Sequence, residues 1–287
     1  MSNIVIVGGT GTLGKALIAH HYGKEEHKII CYSRDELKQH ELKKTFPKVT
    51  YILGDIREGL PNVSDNIDII YHVAALKHID ILEHNVTEAL RTNVAGTFNL
   101  ANYAVANKIP RFSFSSTDKA VFPINVYGNT KAICERYLFH LNEVQDSTYF
   151  RVFRWGNVIA SRGSAIHSFK ESLLKEQKIY LTHPDMTRFW IRIDDAVKFM
   201  VNETEQPSVK GIQIPPMKSA KVTSIIEVLA EKLGIKEWDY EYIGLRPGEK
   251  IHEFIRHDLN SLDAEKYTKD EIFELLKDSV SESIYFW

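Results

Sequence analysis

The chain has 287 residues, enough for one large domain or a main domain with a smaller lobe. Its 44% hydrophobic and 26% charged residues are ordinary for a globular protein, and a net charge of -2 offers no field for nucleic acid or an anionic membrane. Two cysteines, Cys31 and Cys134, make no disulfide framework, and no apolar run approaches the roughly 18–20 residues that span a bilayer. With an N-terminus that enters NIVIVGG directly, the expectation is a soluble cytoplasmic protein without nucleic-acid or membrane partners. The histidines, among them His20, His21, His72, His78 and His84, lack metal-ligand spacing, so no metal is expected.

In chain order, NIVIV, KIICY, VTYIL, DIIYHVA, RFSFS and TYFRVF read as short strands rich in Val, Ile, Phe and Tyr. Helical patterns lie between them: LGKALIAHHY, RDELKQHELKKTF and the long VTEALRTNVAGTFNLANYAVANK. Strand–helix alternation with nearly continuous apolar strands predicts an α/β fold, a Rossmann-type doubly wound parallel sheet. After Arg154 the rhythm changes. Helices near 165–175, 194–202 and 222–233 are separated by KIYL, GIQI and YEYI, which suits a smaller C-terminal substrate-binding lobe. The expected division is a dinucleotide domain over 1–155 with a return around 189–214, and a lobe from 156–188 and 215–287. The stretch from Leu262 to Trp287 carries little pattern.

Gly8, Gly11 and Gly14 stand at the turn between the first strand and first helix. That context allows a tight turn, a close approach to a pyrophosphate and helix–strand packing, with helix amides facing the phosphates. Thr10, Thr12 and Leu13 complete the loop, and Ile56, Ala74 and Ala75 follow the third and fourth strands on the same sheet edge. About 20 residues beyond the last glycine, where cofactor choice is set, the sequence reads CYSRDELK. Arg34 with Lys38, and Ser33 as a donor, fit the 2′-phosphate of NADP. A one-residue shift would instead bring in Asp35, an acid suited to NAD. Asp55 suits the adenine amino group or a turn cap.

The most informative stretch is SSTDKAVFPINVYGNTK, 115–131. Tyr127 and Lys131 are four apart and share a helix face, so the ammonium is expected to favour the phenolate and to reach the nicotinamide ribose. Such a tyrosine can take a proton from a substrate hydroxyl while the carbon gives hydride to a nicotinamide. Asp118 and Lys119, read alone, are an exposed turn pair.

Taken together, these residues resemble the extended short-chain dehydrogenases/reductases. YSRDELKQHEL, GDIRE, HVAALKHI, EALRTNVAGTFN, SSTDKAVFPINVYGNTK, RWGNVIASRGS, DMTRFWI and RPGEKIHE narrow the resemblance to the inverting UDP-N-acetylglucosamine 4,6-dehydratases of the pseudaminic-acid type, from residue 3 to about residue 255. The resemblance implies a lyase with tightly held NADP that is recycled in each turnover. Tyr127 would take the C4 hydroxyl proton, Thr117 orient that oxygen, Lys119 remove the C5 proton and Asp118 protonate the departing C6 hydroxyl. Both Asp118 and Lys119 must then be neutral, which burial is expected to favour. The resemblance further assigns Asn157, Arg162, Arg188, Arg246 and Glu249 to the UDP-sugar, places Lys77 and Asn93 near cofactor and sugar, and implies a dimer or hexamer. Trp155 in place of tyrosine, His167–Ser168 in place of an apolar pair, Val86 in place of proline and a short C-terminal region depart from the family pattern. A UDP-hexose 4-epimerase, which needs no acid/amine doublet, and a silent dinucleotide-binding regulator are the rival readings.

Overall fold

In the structure, a computed structural model, residues 2–61, 63, 66–159, 161, 163–206 and 209–280 are described; the Arg162 assignment lies outside them. Among the described residues the strands are β1 (Ser2–Val7), β2 (His27–Ser33), β3 (Thr50–Leu53), β4 (Ile69–His72), β5 (Arg111–Thr117), β6 (Tyr149–Trp155), β7 (Asn157–Ile159), β8 (Ile179–Leu181), β9 (Thr187–Arg192), β10 (Gly211–Gln213), β11 (Ser219–Lys221), β12 (Tyr240–Tyr242), β13 (Phe254–Arg256) and β14 (Leu259–Asn260). Seven of them form one parallel sheet in the order β10-β6-β5-β4-β1-β2-β3. The order reverses beside β1, which is the topological switch point where such sheets bind ligands. The fold is the expected doubly wound Rossmann type.

Period-2 alternation in the central strands explains the two-sided burial. Ile4 and Ile6 of β1 face one core with Leu17 and Ile18 of α1 (Thr12–His21), beyond which follows α2 (Glu36–Thr45). Val5 and Val7 face a second core, which includes Leu100 and Ala104 from α5 and Cys134 and Leu138 from α6. The intervening helices are α3 (Ile79–Glu83), α4 (Val86–Ala89), α5 (Gly96–Ala106) and α6 (Val126–Val144). Both cysteines are buried thiols in these cores.

The long helix expected over 86–108 is not uniform. Leu90–Ala95 is a π-helical segment between α4 and α5. Within it the Asn93 carbonyl accepts from the Thr97 hydroxyl at 2.6 Å and from the Cys134 thiol at 3.1 Å. Such a bulge frees carbonyls for side-chain partners, a tertiary effect that period alone does not reveal.

Beyond β6 come α7 (Ala165–Leu174), α8 (Ile193–Glu205), α9 (Val222–Lys232), α10 (Lys269–Leu275) and α11 (Lys277–Val280). Val197 and Met200 of α8 join the first core, and β10 pairs with β6, so this part of the chain lies on the large sheet. A third core gathers Ile166, Leu173, Trp190, Ile226, Leu229, Ile272 and Leu276. The α10 helix begins with a capping box, Thr268 and Glu271 each satisfying the other's backbone N–H. That T-x-x-E signal was available in the stretch that carries little other pattern. Among the described residues, no helix is long and apolar enough to cross a membrane.

One buried ion pair joins the layers. Arg154 at the end of β6 donates to Glu135 of α6, at 3.0 Å from Nε and 2.6 Å from Nη2, and to the Ile255 carbonyl of β13 at 3.3 Å. Removing one member strands a buried charge. We expect Glu135→Leu to lower unfolding free energy by about 3–5 kcal/mol in urea titrations, and Glu135→Leu/Arg154→Met to recover most of that loss.

Candidate active site

The dinucleotide end of the site is built by the β1–α1 turn. Gly8 has φ +87°, and a Cβ there would come within 2.6 Å of the Ala74 backbone nitrogen. A Cβ on Gly14 would overlap the Gly8 carbonyl oxygen. The turn therefore folds flat against the start of α1, beside a cavity of about 560 Å³ lined by Gly8, Thr10, Gly11, Ser33, Arg34, Lys38, Ile56, Ala74 and Ala75. This cradle fits a dinucleotide pyrophosphate.

At the adenosine end, Arg34 is half-exposed and 3.3 Å from Asp55, and Lys38 pairs with Asp35. Asp35 is engaged as the N-cap of α2, accepting from the Lys38 amide at 2.9 Å. Asp55 does not line the cavity. It caps the turn Ile56–Glu58 and binds Arg57 at 2.7 Å, and against the cost of burial Arg57 and Arg34 hold its carboxyl below the usual range. Gln39 went unnoticed in the sequence. Its amide donates to both the hydroxyl and the carbonyl of Ser33, at 2.9 and 3.2 Å, and so fixes that end of β2.

A second cleft of about 860 Å³ shares Thr10, Gly11, Arg34 and Lys38 with the first. It adds Thr12, Leu13, Gly14, Lys77, Thr117, Lys119, Tyr127, Lys131, Trp155 and Asn157. Asn93 stands behind its wall, where it clasps Leu76 through both backbone groups at 2.9 Å and reaches Thr130 at 3.1 Å. Burial lowers the Lys77 ammonium from its ordinary value. Trp155, in place of the family's tyrosine, stacks on Phe153 and donates to the Ser115 hydroxyl at 3.0 Å.

The reacting centre forms where β5 ends. Thr117 caps the single turn Asp118–Ala120, and its hydroxyl donates to Asp118 Oδ1 at 2.9 Å. The helix that carries Tyr127 and Lys131, α6, starts directly against this turn. Asn125 caps it, accepting from the Gly128 amide at 2.7 Å, and a Cβ on Gly128 would overlap the Lys119 carbonyl. Only glycine after the tyrosine permits that approach.

Asp118 is not an exposed turn residue. It is wholly buried and does not line the cleft, while Lys119 does. Lys119 Nζ lies 3.0 Å from Asp118 Oδ1 and 3.4 Å from Glu253 Oε1, a buried carboxylate brought from 134 positions downstream. Burial, reinforced by Glu253 and opposed by Lys119, lifts the Asp118 carboxyl above its usual range, as expected. For Lys119 the expectation fails. Burial alone would lower its ammonium, but the carboxylates of Asp118 and Glu253 outweigh burial and hold it above the ordinary lysine range. Glu253 lies within RPGEKIHE, but its meeting with Lys119 depends on tertiary structure.

A second expectation is also corrected. Burial pushes the Tyr127 phenol up to about 12, and the cation that opposes this is Lys119, not Lys131. Lys131 donates to the Ser115 carbonyl at 2.7 Å and stands 4.3 Å from the centre of the Phe114 ring. Burial there lowers its ammonium to about 8.

On the substrate side, Asn157 lines the cleft. Arg188 is buried instead, its guanidinium donating to the carbonyls of Thr187, Ile251 and Lys250 at 2.7, 3.0 and 2.9 Å. Arg246 is exposed, and Glu249 accepts from its amide at 3.4 Å in the turn whose Gly248 carbonyl is held by Asn125 at 2.8 Å.

A family described as "Polysaccharide biosynthesis protein" matches residues 4–274. The chain belongs to this family. A UDP-N-acetylglucosamine 4,6-dehydratase (inverting) of Campylobacter jejuni is 38% identical over 263 residues, 88% of this chain and 77% of that protein. A UDP-glucose 4-epimerase of Rickettsia bellii is 35% identical over 87% of this chain and 76% of its own. Among solved structures, Pen from Bacillus thuringiensis superimposes with a TM-score of 0.87 at 30% identity, covering 99% of this chain and 98% of that one. The match spans the glycine cradle, the Asp118–Lys119 turn and Glu253, so this family member carries its dinucleotide cradle and its reacting turn on one sheet edge.

The close approach of α6 yields a direct check. We expect Gly128→Ala to displace the Tyr127 turn from Lys119 by a fraction of an ångström to about 1 Å, enough for a loss of roughly 100-fold in kcat with far-UV circular dichroism unchanged.

Proposed function

We propose that the protein is a UDP-N-acetylglucosamine 4,6-dehydratase that inverts C5 and uses NADP. The observation that carries this reading is the Lys119 amine on the cleft wall, 3.0 Å from a buried Asp118 and on the same cleft as Tyr127. A 4-epimerase borrows a hydride at C4 and needs only the tyrosine. Elimination across C5 and C6 needs in addition a base and an acid, and an amine/carboxyl pair supplies both. The 38% identity to the inverting 4,6-dehydratase of Campylobacter jejuni supports the same choice.

A nicotinamide dinucleotide held by Gly8, Gly11, Arg34 and Lys38 would supply a hydride acceptor for C4, a hydride donor for C6 and positive charge that favours the Tyr127 phenolate. Tyr127 takes the C4 hydroxyl proton while Thr117 orients that oxygen. The resulting 4-ketone acidifies C5–H, which neutral Lys119 removes as Asp118 protonates the C6 hydroxyl and water leaves. After C6 has received its hydride, Lys119 returns a proton to the opposite face of C5, which inverts that centre. Asp118 Oδ1, which accepts from the Thr117 hydroxyl at 2.9 Å and from the Lys119 ammonium at 3.0 Å, is the carboxyl oxygen within reach of a transferable proton. Arg34 and Lys38, at the rim of the adenosine cavity, favour the 2′-phosphate of NADP. We assign the large sheet to the dinucleotide, and the lobe, with Asn157, Arg246 and Glu249, to the UDP-sugar. Arg188 contributes by holding the 250–251 backbone.

Incubation with UDP-N-acetylglucosamine in D₂O without added cofactor, followed by NMR, tests the reaction. A 6-deoxy-4-keto sugar with deuterium at inverted C5 is expected, and a simple C4 epimer as sole product would sink the proposal. Lys119→Met should lower turnover by about 10²–10⁴-fold. Mass spectrometry of nucleotide released from denatured protein should find NADP, and Arg34→Ala should weaken NADP by more than about tenfold with little change for NAD.

A further inference from the structure

Glu253 reaches the reacting centre from outside the local motif, and its side chain does not line the cleft. It is 2% exposed, directly before β13. Its backbone is fastened on both sides, the amide donating to the Ser261 hydroxyl at 3.0 Å and the carbonyl accepting from the Ser261 amide at 2.7 Å. Around it, Lys250 donates to the Val121 carbonyl at 2.7 Å, Arg188 grips the 250–251 carbonyls, and Arg154 reaches the Ile255 carbonyl. So many independent restraints on one short segment keep a carboxylate where an unpaired charge would be costly. Its Oε1 meets Lys119 at 3.4 Å and its Oε2 meets Lys250 at 3.6 Å.

We propose that Glu253 is a positioning residue for Lys119: reaching it from behind the cleft wall, its carboxylate holds the amine at the wall and keeps it an ammonium between turnovers, so that Lys119 becomes a base by passing a proton to Asp118. This rests on the reading of Lys119 as the C5 base. The transfer crosses the 3.0 Å from Nζ to the carboxyl, breaking one N–H bond and making one O–H bond. The charge of the three groups is the same before and after. One step thereby prepares both a neutral amine for C5–H and a neutral acid for the C6 hydroxyl. Elimination gives the C5 proton to Lys119 and sends the Asp118 proton out as part of water. Lys119 then protonates C5, and Tyr127, which gained the C4 hydroxyl proton, restores the ammonium. The charged and titratable groups facing Lys119 are Asp118 from its own turn, Glu253, Arg188 from β9 and Tyr127 from α6, whereas Glu253 faces Lys119, Lys250 and Arg188. Carboxylates outnumber the other cations directly around Lys119, so the sign is definite: removing Glu253's charge makes Lys119 lose its proton at lower pH.

The test reads Lys119 without turnover. The full-length protein is acetylated briefly with acetic anhydride at a series of pH values, and modification of the Lys119 peptide is quantified by mass spectrometry. Glu253→Gln should move half-maximal labelling down by about one pH unit or more, and Glu253→Asp should recover part of that shift. An unchanged midpoint in folded Glu253→Gln, or in folded Glu253→Asp if the first variant does not fold, overturns the proposal. The D₂O assay on the parent protein separately reports whether Lys119 serves a dehydratase. If it does, the alkaline response of kcat should shift with the labelling midpoint while KM stays within about threefold, because Glu253 does not line the cleft.

Discussion

Two buried carboxylates share one lysine, and much of the second half of the chain keeps them together. Asp118 and Glu253 cannot both be ionised inside the protein without a cation between them. Lys119 is that cation, and it is also the member of the trio that faces the cleft. Every element near it is constrained by this arrangement. β5 ends there, α6 approaches closely enough to exclude a Cβ at Gly128, and the segment before β13 is bound through its own backbone. Arg188, whose motif suggested a diphosphate ligand, is placed to hold that segment.

The same trio changes how the tyrosine is understood. Helical spacing puts Tyr127 and Lys131 on one face, and both line the cleft. Electrostatic effect depends on distance and burial, however, not on spacing. Lys131 is committed to the Ser115 carbonyl, while the charge that bears on the phenol comes from Lys119. Tyr127 and the Asp118–Lys119 pair are therefore one coupled system, in which moving a proton at Lys119 alters the phenol's hold on its own.

The parallel sheet was legible because central strands are apolar on both faces, and β1, β2, β4 and β6 contribute side chains to both cores. The glycine turn was legible because its requirements are local: positive φ at Gly8 and contact between residues only six apart. The helix near the end carries a local signal, the Thr268–Glu271 capping box, but too little hydrophobic pattern beside it to be legible as a helix. The π segment at Leu90–Ala95 was not, because its carbonyls are claimed by partners on another helix.

Local pattern thus determined the architecture, the cradle for pyrophosphate and the Tyr127–Lys131 helix face, since each depends on neighbours within a few residues along the chain. Only the folded chain decided their charge. Burial weakens a lysine's hold on its proton, and two carboxylates, one of them 134 positions away on a segment anchored at five backbone groups, outweigh that cost. Protonation in a buried site is the sum of desolvation and every nearby charge, and such a sum exists only once distant segments meet.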